Sequence, residues 1–353
     1  MNRKEGIFHY KGRFELESGE ALNHFHLKYT TYGTLNADQT NVIWIIHALT
    51  ANSDPVEWWP GVVGPDCAID TNRYFVICAS CLGSQYGSTN PLSIDHEKNS
   101  PYYHSFPLLT NRDIIRSFDL LRRDLNINKV HTIIGASLGG QQVLEWLIQE
   151  PSLFEKSILL ATNAKHSPWG IAFNESQRLS IEGDPTWKED GPEAGLNGMA
   201  IARSIALLSY RTSKAYQVSQ KEEGDSKLND FKASSYQRYQ GEKLRRRYNA
   251  YSYYRLTQAM DSHNVGRGRG GVAKALSYIK AKVHVIGVSS DLLFPFEEQA
   301  FLSRNIKASA LHRIESDFGH DGFLTEVGQL NQIIRQVLPE SEGQVAGQAL
   351  RES

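Results

Sequence analysis

The segment Gly135-Ala136-Ser137-Leu138-Gly139 constrains this chain more than any other stretch. Val130 to Ile134 before it is a short apolar run of strand length, and Leu138 to Gln149 after it has helical character. A strand that turns directly into a helix leaves little room for bulk at the turn, and glycines stand on both sides, at 135 and 139. Such a turn lifts a serine hydroxyl above the sheet edge and points the following amide toward it, as in a nucleophile elbow. The pattern G-x-S-x-G occurs by chance in many proteins. The flanking strand and helix favour a catalytic serine over a glycine-rich turn that only packs.

The rest of the chain supplies a sheet for that turn. Val42 to His47 and Tyr74 to Cys78 are continuous apolar runs, which suit strands buried on both faces of a parallel sheet. Arg112 to Leu125 reads as a helix with Ile114, Ile115, Phe118, Leu121 and Leu125 on one side, and Ser157 to Ala161 reads as another strand. This alternation of strand and helix predicts an α/β fold with a mostly parallel sheet. Phe14 to Leu16 and His24 to Tyr29 alternate like an antiparallel hairpin at the sheet edge. From Asn163 to Lys280 the strand signal vanishes and helical tendency dominates, before Lys282 to Val288 resumes the sheet. Ala310 to Ile314 reads as the last strand and Gly322 to Val337 as a closing helix. The expected organisation is a core over 1–162, a helical lid over 163–280, more core over 281–340 and a polar tail over 341–353.

Composition narrows the partners. With 353 residues, 40% hydrophobic content and a net charge of −1, the chain reads as a soluble globular protein with no nucleic-acid or membrane partner. No apolar run approaches the roughly 20 residues of a bilayer span, and the first residues lead into no signal-peptide core. The three cysteines, Cys67, Cys78 and Cys81, are odd in number and sparse, which predicts a cytoplasmic location. Cys78 and Cys81 have C-x-x-C spacing without a second pair or nearby histidines, so Cys78 reads as a buried packing residue and no metal site is expected.

A serine hydroxyl needs a base, and the base needs a group to orient it. Asp291 follows the strand ending at Val288, and His320 follows the strand ending at Ile314, each in a position to lie beyond a strand end. His284 and His312 compete with His320 but fall inside strands, while Asp317 competes with Asp291 from only three residues before His320. The oxyanion of acyl transfer requires preorganised donors. The Leu138 amide is one candidate, and the Leu49 amide, in His47-Ala48-Leu49-Thr50 after an early strand, is the other. His47 itself reads as structural.

Longer motifs then resemble a known family. His47 to Thr50, Trp58-Trp59, Gly87-Ser88-Thr89, Leu144-Glu145-Trp146, Phe173-Asn174-Glu175, Tyr210-Arg211, Asp261 to Gly271, Ser290-Asp291 and Gly319 to Leu324 are similar to homoserine O-acetyltransferases, over roughly residues 10 to 335. The resemblance implies an α/β-hydrolase fold with an inserted helical lid, and a homodimer through lid helices. It implies two-step transfer from acetyl-CoA, a co-substrate rather than a bound cofactor, to L-homoserine in methionine biosynthesis. By the same resemblance Ser137 is the nucleophile, His320 the base and Asp291 its orienter. Arg203 matches the arginine that takes the homoserine carboxylate, Asp321 the aspartate that takes its ammonium, and Tyr210 a tyrosine of the tunnel. From the residues alone, Arg203 would read as part of a solvated helix face. Succinyl-CoA as donor, L-serine as acceptor and ester hydrolysis are the alternatives, with a noncatalytic scaffold further off. Ala51, Ala136, Leu138, Gly83 to Tyr86, Asn90 and a shortened segment between Pro185 and Gly195 depart from the family pattern and bear on donor and acceptor choice.

Three features read more plainly. Gly266 to Gly271 contains G-x-G-x-x-G but follows a helical stretch, so it reads as a tight loop between lid and core; contact of Arg267 and Arg269 with CoA phosphates is the lesser reading. Lys243 to Arg247 reads as a solvated helix face. Tyr236, Tyr239, Tyr248, Tyr251, Tyr253 and Tyr254 are expected to pack the lid or a subunit interface.

Overall fold

A computed structural model describes residues 2–338 and builds them around one eight-stranded sheet. Its strands are β1 (Arg3–Glu15), β2 (Ala21–Tyr32), β3 (Val42–Ile46), β4 (Phe75–Ala79), β5 (Val130–Ala136), β6 (Phe154–Leu160), β7 (Lys282–Val288) and β8 (Ser309–Ile314), in the order β1-β2-β4-β3-β5-β6-β7-β8. The edge hairpin is antiparallel, with Phe8 opposite Leu27, and β2 meets β4 antiparallel, with Thr31 opposite Ile77. From β4 onward every pairing is parallel. The expected parallel sheet with an antiparallel edge is therefore what forms.

Side chains alternate between the faces of a strand, so both faces must be covered for a continuous apolar run to persist. Trp44, Ile46, Ile133 and Leu159 point into one core, and Ile43, Ile45, Ile134 and Ile158 into the other. The first core is closed by helices α1 (Asn111–Asp124) and α2 (Leu138–Gln149). Trp146 of α2 meets Trp44 edge-on with centroids 5.0 Å apart. A capping box formed by Thr110 and Asp113 starts α1, one residue earlier than the apolar spacing suggested.

Between β6 and β7, apart from a single antiparallel bridge of Lys165 with Asn264, the elements are helices: α3 (Pro168–Glu182), α4 (Leu196–Tyr210), α5 (Ser213–Ser219), α6 (Lys232–Arg245), α7 (Ala250–Asp261) and α8 (Val272–Leu276), with a short 3₁₀ turn at Pro185–Lys188. They occupy the stretch read as a lid. Helix α9 (Phe296–Asn305) connects β7 to β8. The closing helix departs from expectation, because it is two pieces, α10 (Gly322–Thr325) and α11 (Val327–Val337). Glu326 leaves helical geometry between them at ψ 51°, where its carboxylate accepts the Ser316 hydroxyl at 2.8 Å. Two ribbons of two residues per strand, Val63–Gly64 with Ile69–Asp70 and Ile94–Asp95 with Ser100–Pro101, are too short to leave a periodic signal. The tail over 341–353 lies outside the described residues. Among the described residues no helix is long and apolar enough to cross a membrane.

The start of α2 is pressed against the end of β3. A Cβ on Gly139 would overlap the Ile46 carbonyl oxygen and stand 2.9 Å from that of His47. Both obstacles are backbone, which cannot rotate away. Gly139→Ala is expected to destabilise the fold by about 1–3 kcal/mol, read as a lower urea midpoint; an unchanged midpoint would show that the turn can relax.

Candidate active site

The turn from β5 into α2 holds Ser137 at φ 57° and ψ −125°, a conformation that costs a non-glycine residue roughly 1–3 kcal/mol. Neighbouring backbone holds it there. The Ser137 amide donates to the Leu160 carbonyl at 3.0 Å, and the Ser137 carbonyl accepts from the Thr162 hydroxyl at 2.9 Å. The Leu138 amide opens α2, where the first N–H groups of a helix have no intrahelical acceptor and carry the positive end of its dipole.

Two loops converge on this turn. After β7, Asp291 accepts the amides of Leu293 and Phe294 on Oδ1, at 2.8 and 2.9 Å. Its Oδ2 lies 2.7 Å from His320 Nδ1. His320 sits in a 3₁₀ turn (Gly319–Asp321) after β8. Its ring is enclosed by Phe294, Phe323 and Tyr210, with centroids 5.2, 5.3 and 5.6 Å away. Burial pulls the imidazole toward its neutral form, but the carboxylates of Asp291 and then Asp321 favour the charged form, and the net basicity is raised. Asp291 occupies Nδ1, which leaves Nε2 to exchange a proton with the cavity.

Ser137 and His320 line one cavity of about 80 Å³, together with Ala48, Leu49, Thr50, Asp321, Phe323, Leu324, Arg203 and Tyr210. At about 10–15 Å³ per water-sized group, it admits a compact molecule and little else. Arg203 and Tyr210 both come from α4, two turns apart, with the guanidinium 5.3 Å over the phenol ring. Arg203 is therefore turned to the cavity, against the solvated-face reading that its own residues suggested. No signal in α4 marks that choice, because it depends on how the lid sits over the strand ends. Asp321 reaches the same cavity paired with Arg211, whose Nε is 3.1 Å from Oδ2.

The competing groups lie elsewhere. His284 and His312 face each other across β7 and β8 at 3.0 Å, and neither lines this cavity. Asp317 is about half exposed and pairs with Lys214 at 2.7 Å.

The loop after β3 is held from both sides. The Ala48 carbonyl accepts from His47 Nδ1 at 2.8 Å and from the Ala51 amide at 3.0 Å. In a planar trans peptide the N–H points opposite to the C=O, so anchoring that carbonyl aims the Leu49 amide. His47 Nε2 accepts the Cys81 amide at 2.9 Å, and burial, opposed by the Ala48 hydrogen bond, lowers its pKa to about 4. The histidine is thus neutral and structural.

From the other side the lid takes hold. Arg247 Nη1 donates to the Thr50 carbonyl at 2.7 Å and to the Tyr86 hydroxyl, and the Tyr248 hydroxyl donates to the Leu49 carbonyl at 3.3 Å. Asn249 meets Gln85 at 2.9 Å. Arg247 belongs to the basic cluster read as a solvated face. Arg245 and Arg246 fit that reading, pairing locally with Glu242, but Arg247 turns inward to the loop.

Two other stretches resolve plainly. Cys78 and Cys81 are buried free thiols, and burial, only partly offset by Gln142, pushes Cys81 up to about 12, which makes it a poor ligand or redox group. The loop Gly266 to Gly271 runs between α7 and α8, and its arginines are engaged with the core: Arg267 pairs with Glu17 and Arg269 with buried Glu145, each at 2.7 Å. Both charges are thus countered within the fold.

Comparison with known proteins agrees with this geometry. The α/β-hydrolase fold family matches residues 41–327. A homoserine O-acetyltransferase of Cyclobacterium marinum is 48% identical across 96% of this chain and 96% of its own length. The crystal structure of a homoserine O-acetyltransferase from Bacillus anthracis superposes with a TM-score of 0.88 at 25% identity, covering 97% of this chain and 99% of that one. Esterase E22 superposes at 0.86 with 24% identity, over 95% of this chain and 99% of that one, a likeness of fold alone.

The lid's grip on the Thr50 carbonyl has a measurable consequence. Arg247→Met is expected to leave that acceptor unpaired and cost about 1–3 kcal/mol, with faster amide exchange at Leu49 to Ala51. Unaltered exchange in that loop would mean that the strand end alone holds it.

Proposed function

We propose that this chain, which belongs to the homoserine O-acetyltransferase family of the α/β-hydrolase fold, transfers an acetyl group from acetyl-CoA to the hydroxyl of L-homoserine, in methionine biosynthesis. One observation carries the reading. A buried Ser137, a His320 held by Asp291, the Arg203 cation and the Asp321 carboxylate come together, and Ser137, His320, Arg203 and Asp321 all border one cavity of about 80 Å³. A zwitterionic acceptor needs both charges, set around the attacked centre.

In the first half-reaction His320 takes the Ser137 proton and the serine oxygen attacks the thioester carbonyl. The amides of Leu138 and Leu49 receive the oxyanion, and CoA leaves with the proton from His320. In the second, His320 deprotonates the homoserine hydroxyl, which attacks the acyl-enzyme and releases the serine. Arg203 holds the acceptor carboxylate and Asp321 its ammonium, with Tyr210 along the approach. The small volume of the cavity, about 80 Å³, favours a bound homoserine hydroxyl over bulk water as acceptor. Acetyl-CoA enters as a co-substrate, and these steps use no resident cofactor or metal.

A homodimer through the lid is part of the proposal. Ile201 and Leu208, each 55% exposed and two turns apart on α4, together with Leu179 on α3 at 57%, offer the apolar surface. A cytoplasmic location is proposed from the free cysteines.

The test crosses acetyl- and succinyl-CoA with L-homoserine and L-serine and follows CoA release, alongside hydrolysis of a simple ester. Acetyl-CoA with homoserine should be fastest; no preference for homoserine, or hydrolysis outrunning transfer, would refute the reading. Ser137→Ala is expected to lower kcat by roughly 10⁴–10⁶-fold, while Arg203→Ala should chiefly raise the homoserine KM. The base works only when neutral, so activity rises with pH through the His320 pKa. Since that pKa is raised, the acid limb of kcat/KM should lie above about 6.5. Asp291→Asn should move the limb down and reduce kcat by roughly 10⁴-fold.

A further inference from the structure

The carboxylate assigned to the acceptor's ammonium is not free. Arg211 Nε sits 3.1 Å from Asp321 Oδ2, while Asp321 also lines the cavity that holds Ser137 and His320. Arg211 follows directly on α4, the helix that carries Arg203 and Tyr210, and its guanidinium lies 5.8 Å over the ring of Tyr236 on α6. It therefore spans from lid to core. The neighbouring contacts repeat the arrangement. The Thr212 hydroxyl donates to the Asp317 carbonyl, and Lys214 pairs with Asp317 at 2.7 Å. A Cβ on Gly319 would stand 2.8 Å from the Tyr210 carbonyl oxygen, so the two backbones touch where the His320 turn begins. The segment after α4 grips the turn that presents both His320 and Asp321.

We propose that Arg211 is a positioning residue for acceptor recognition: it fixes the Asp321 carboxylate by one oxygen, leaves the other for the substrate's ammonium, and offsets the charge that Asp321 turns toward His320. The inference rests on the acyltransfer reading above. Its logic is a count of charges. The ionisable and charged groups facing His320 are Asp291 from the loop after β7, Asp321 from its own turn, Tyr210 and Arg203 from α4, and Arg211 behind Asp321. Ser137 shares the cavity with it from the elbow. Phe294 and Phe323 close the remaining sides without charge. Lys214 neutralises Asp317 away from the ring. Of the carboxylates beside His320, Asp291 must stay negative and close to orient the ring, whereas Asp321 would only burden the base with an unneeded charge. A guanidinium on Asp321 lessens that burden without removing the carboxylate.

The test uses the full-length enzyme and Arg211→Gln, which keeps a polar side chain and removes the charge. The first half-reaction with p-nitrophenyl acetate reports His320 whatever the natural acceptor is. Its acid limb is expected to move up by about half a unit to one unit, because Asp321 is left unopposed. Adding Asp321→Asn to that variant should bring the limb back down, and Arg211→Lys should stay near wild type. With acetyl-CoA, the homoserine KM of Arg211→Gln should rise several-fold more than kcat falls. A merely structural role would lower the rate at every pH and leave the limb in place. An unmoved limb in Arg211→Gln, with its thermal midpoint intact, overturns the inference while leaving the acyltransfer reading standing. If Arg211→Gln does not fold, an unmoved limb in Asp321→Asn alone overturns it, since the charge argument requires that limb to fall. Absence of homoserine transfer by the wild-type enzyme sinks the functional reading instead.

Discussion

The strained turn at Ser137 is the constraint on which the rest depends. A residue at φ 57° persists only where its surroundings over-determine it. Here the Leu160 carbonyl, the Thr162 hydroxyl and the contact of Gly139 with the end of β3 do so together. Each lies at or just beyond the end of a strand in the parallel centre of the sheet. The buried strands are therefore more than a core: they hold a serine and a helix N-terminus in a geometry that neither would adopt alone.

The lid completes what the sheet begins. Arg247 and Tyr248 bind the carbonyls of the loop after β3, while the segment from Arg211 to Lys214 binds the turn after β8. These two loops face each other across the cavity. Holding both with one insertion couples the loop that carries the Leu49 amide to the turn that carries His320. The same insertion brings Arg203 to the cavity that Ser137 and His320 line, so all three share one support.

Much of this was legible in the sequence where a local rule governed. Strands buried on both faces must be apolar throughout, and β3, β4, β5 and β7 could be read from that alone. Ser137, Asp291 and His320 stand just past strand ends, in an order that chain topology brings together. The misreadings have the opposite character. The break at Glu326 depends on Ser316, and the inward turn of Arg247 depends on the Thr50 carbonyl, each a partner remote in sequence or set by folding. The pairing of Arg267 with Glu17 and of Arg269 with Glu145 likewise left no local signal, because those partners lie far away along the chain.

By itself, then, the sequence determined the sheet, the elbow and the kinds of group that flank it, because periodicity and turn sterics act over a few residues. Only the tertiary structure decided which charges remain open. Arg203 faces the cavity, while Arg247, Arg267 and Arg269 are spent on internal partners and Asp321 carries Arg211. A long charged side chain has no local preference for a partner. Its role is set by whichever opposite charge or carbonyl the fold brings within reach, and that is known only once lid and sheet are in place.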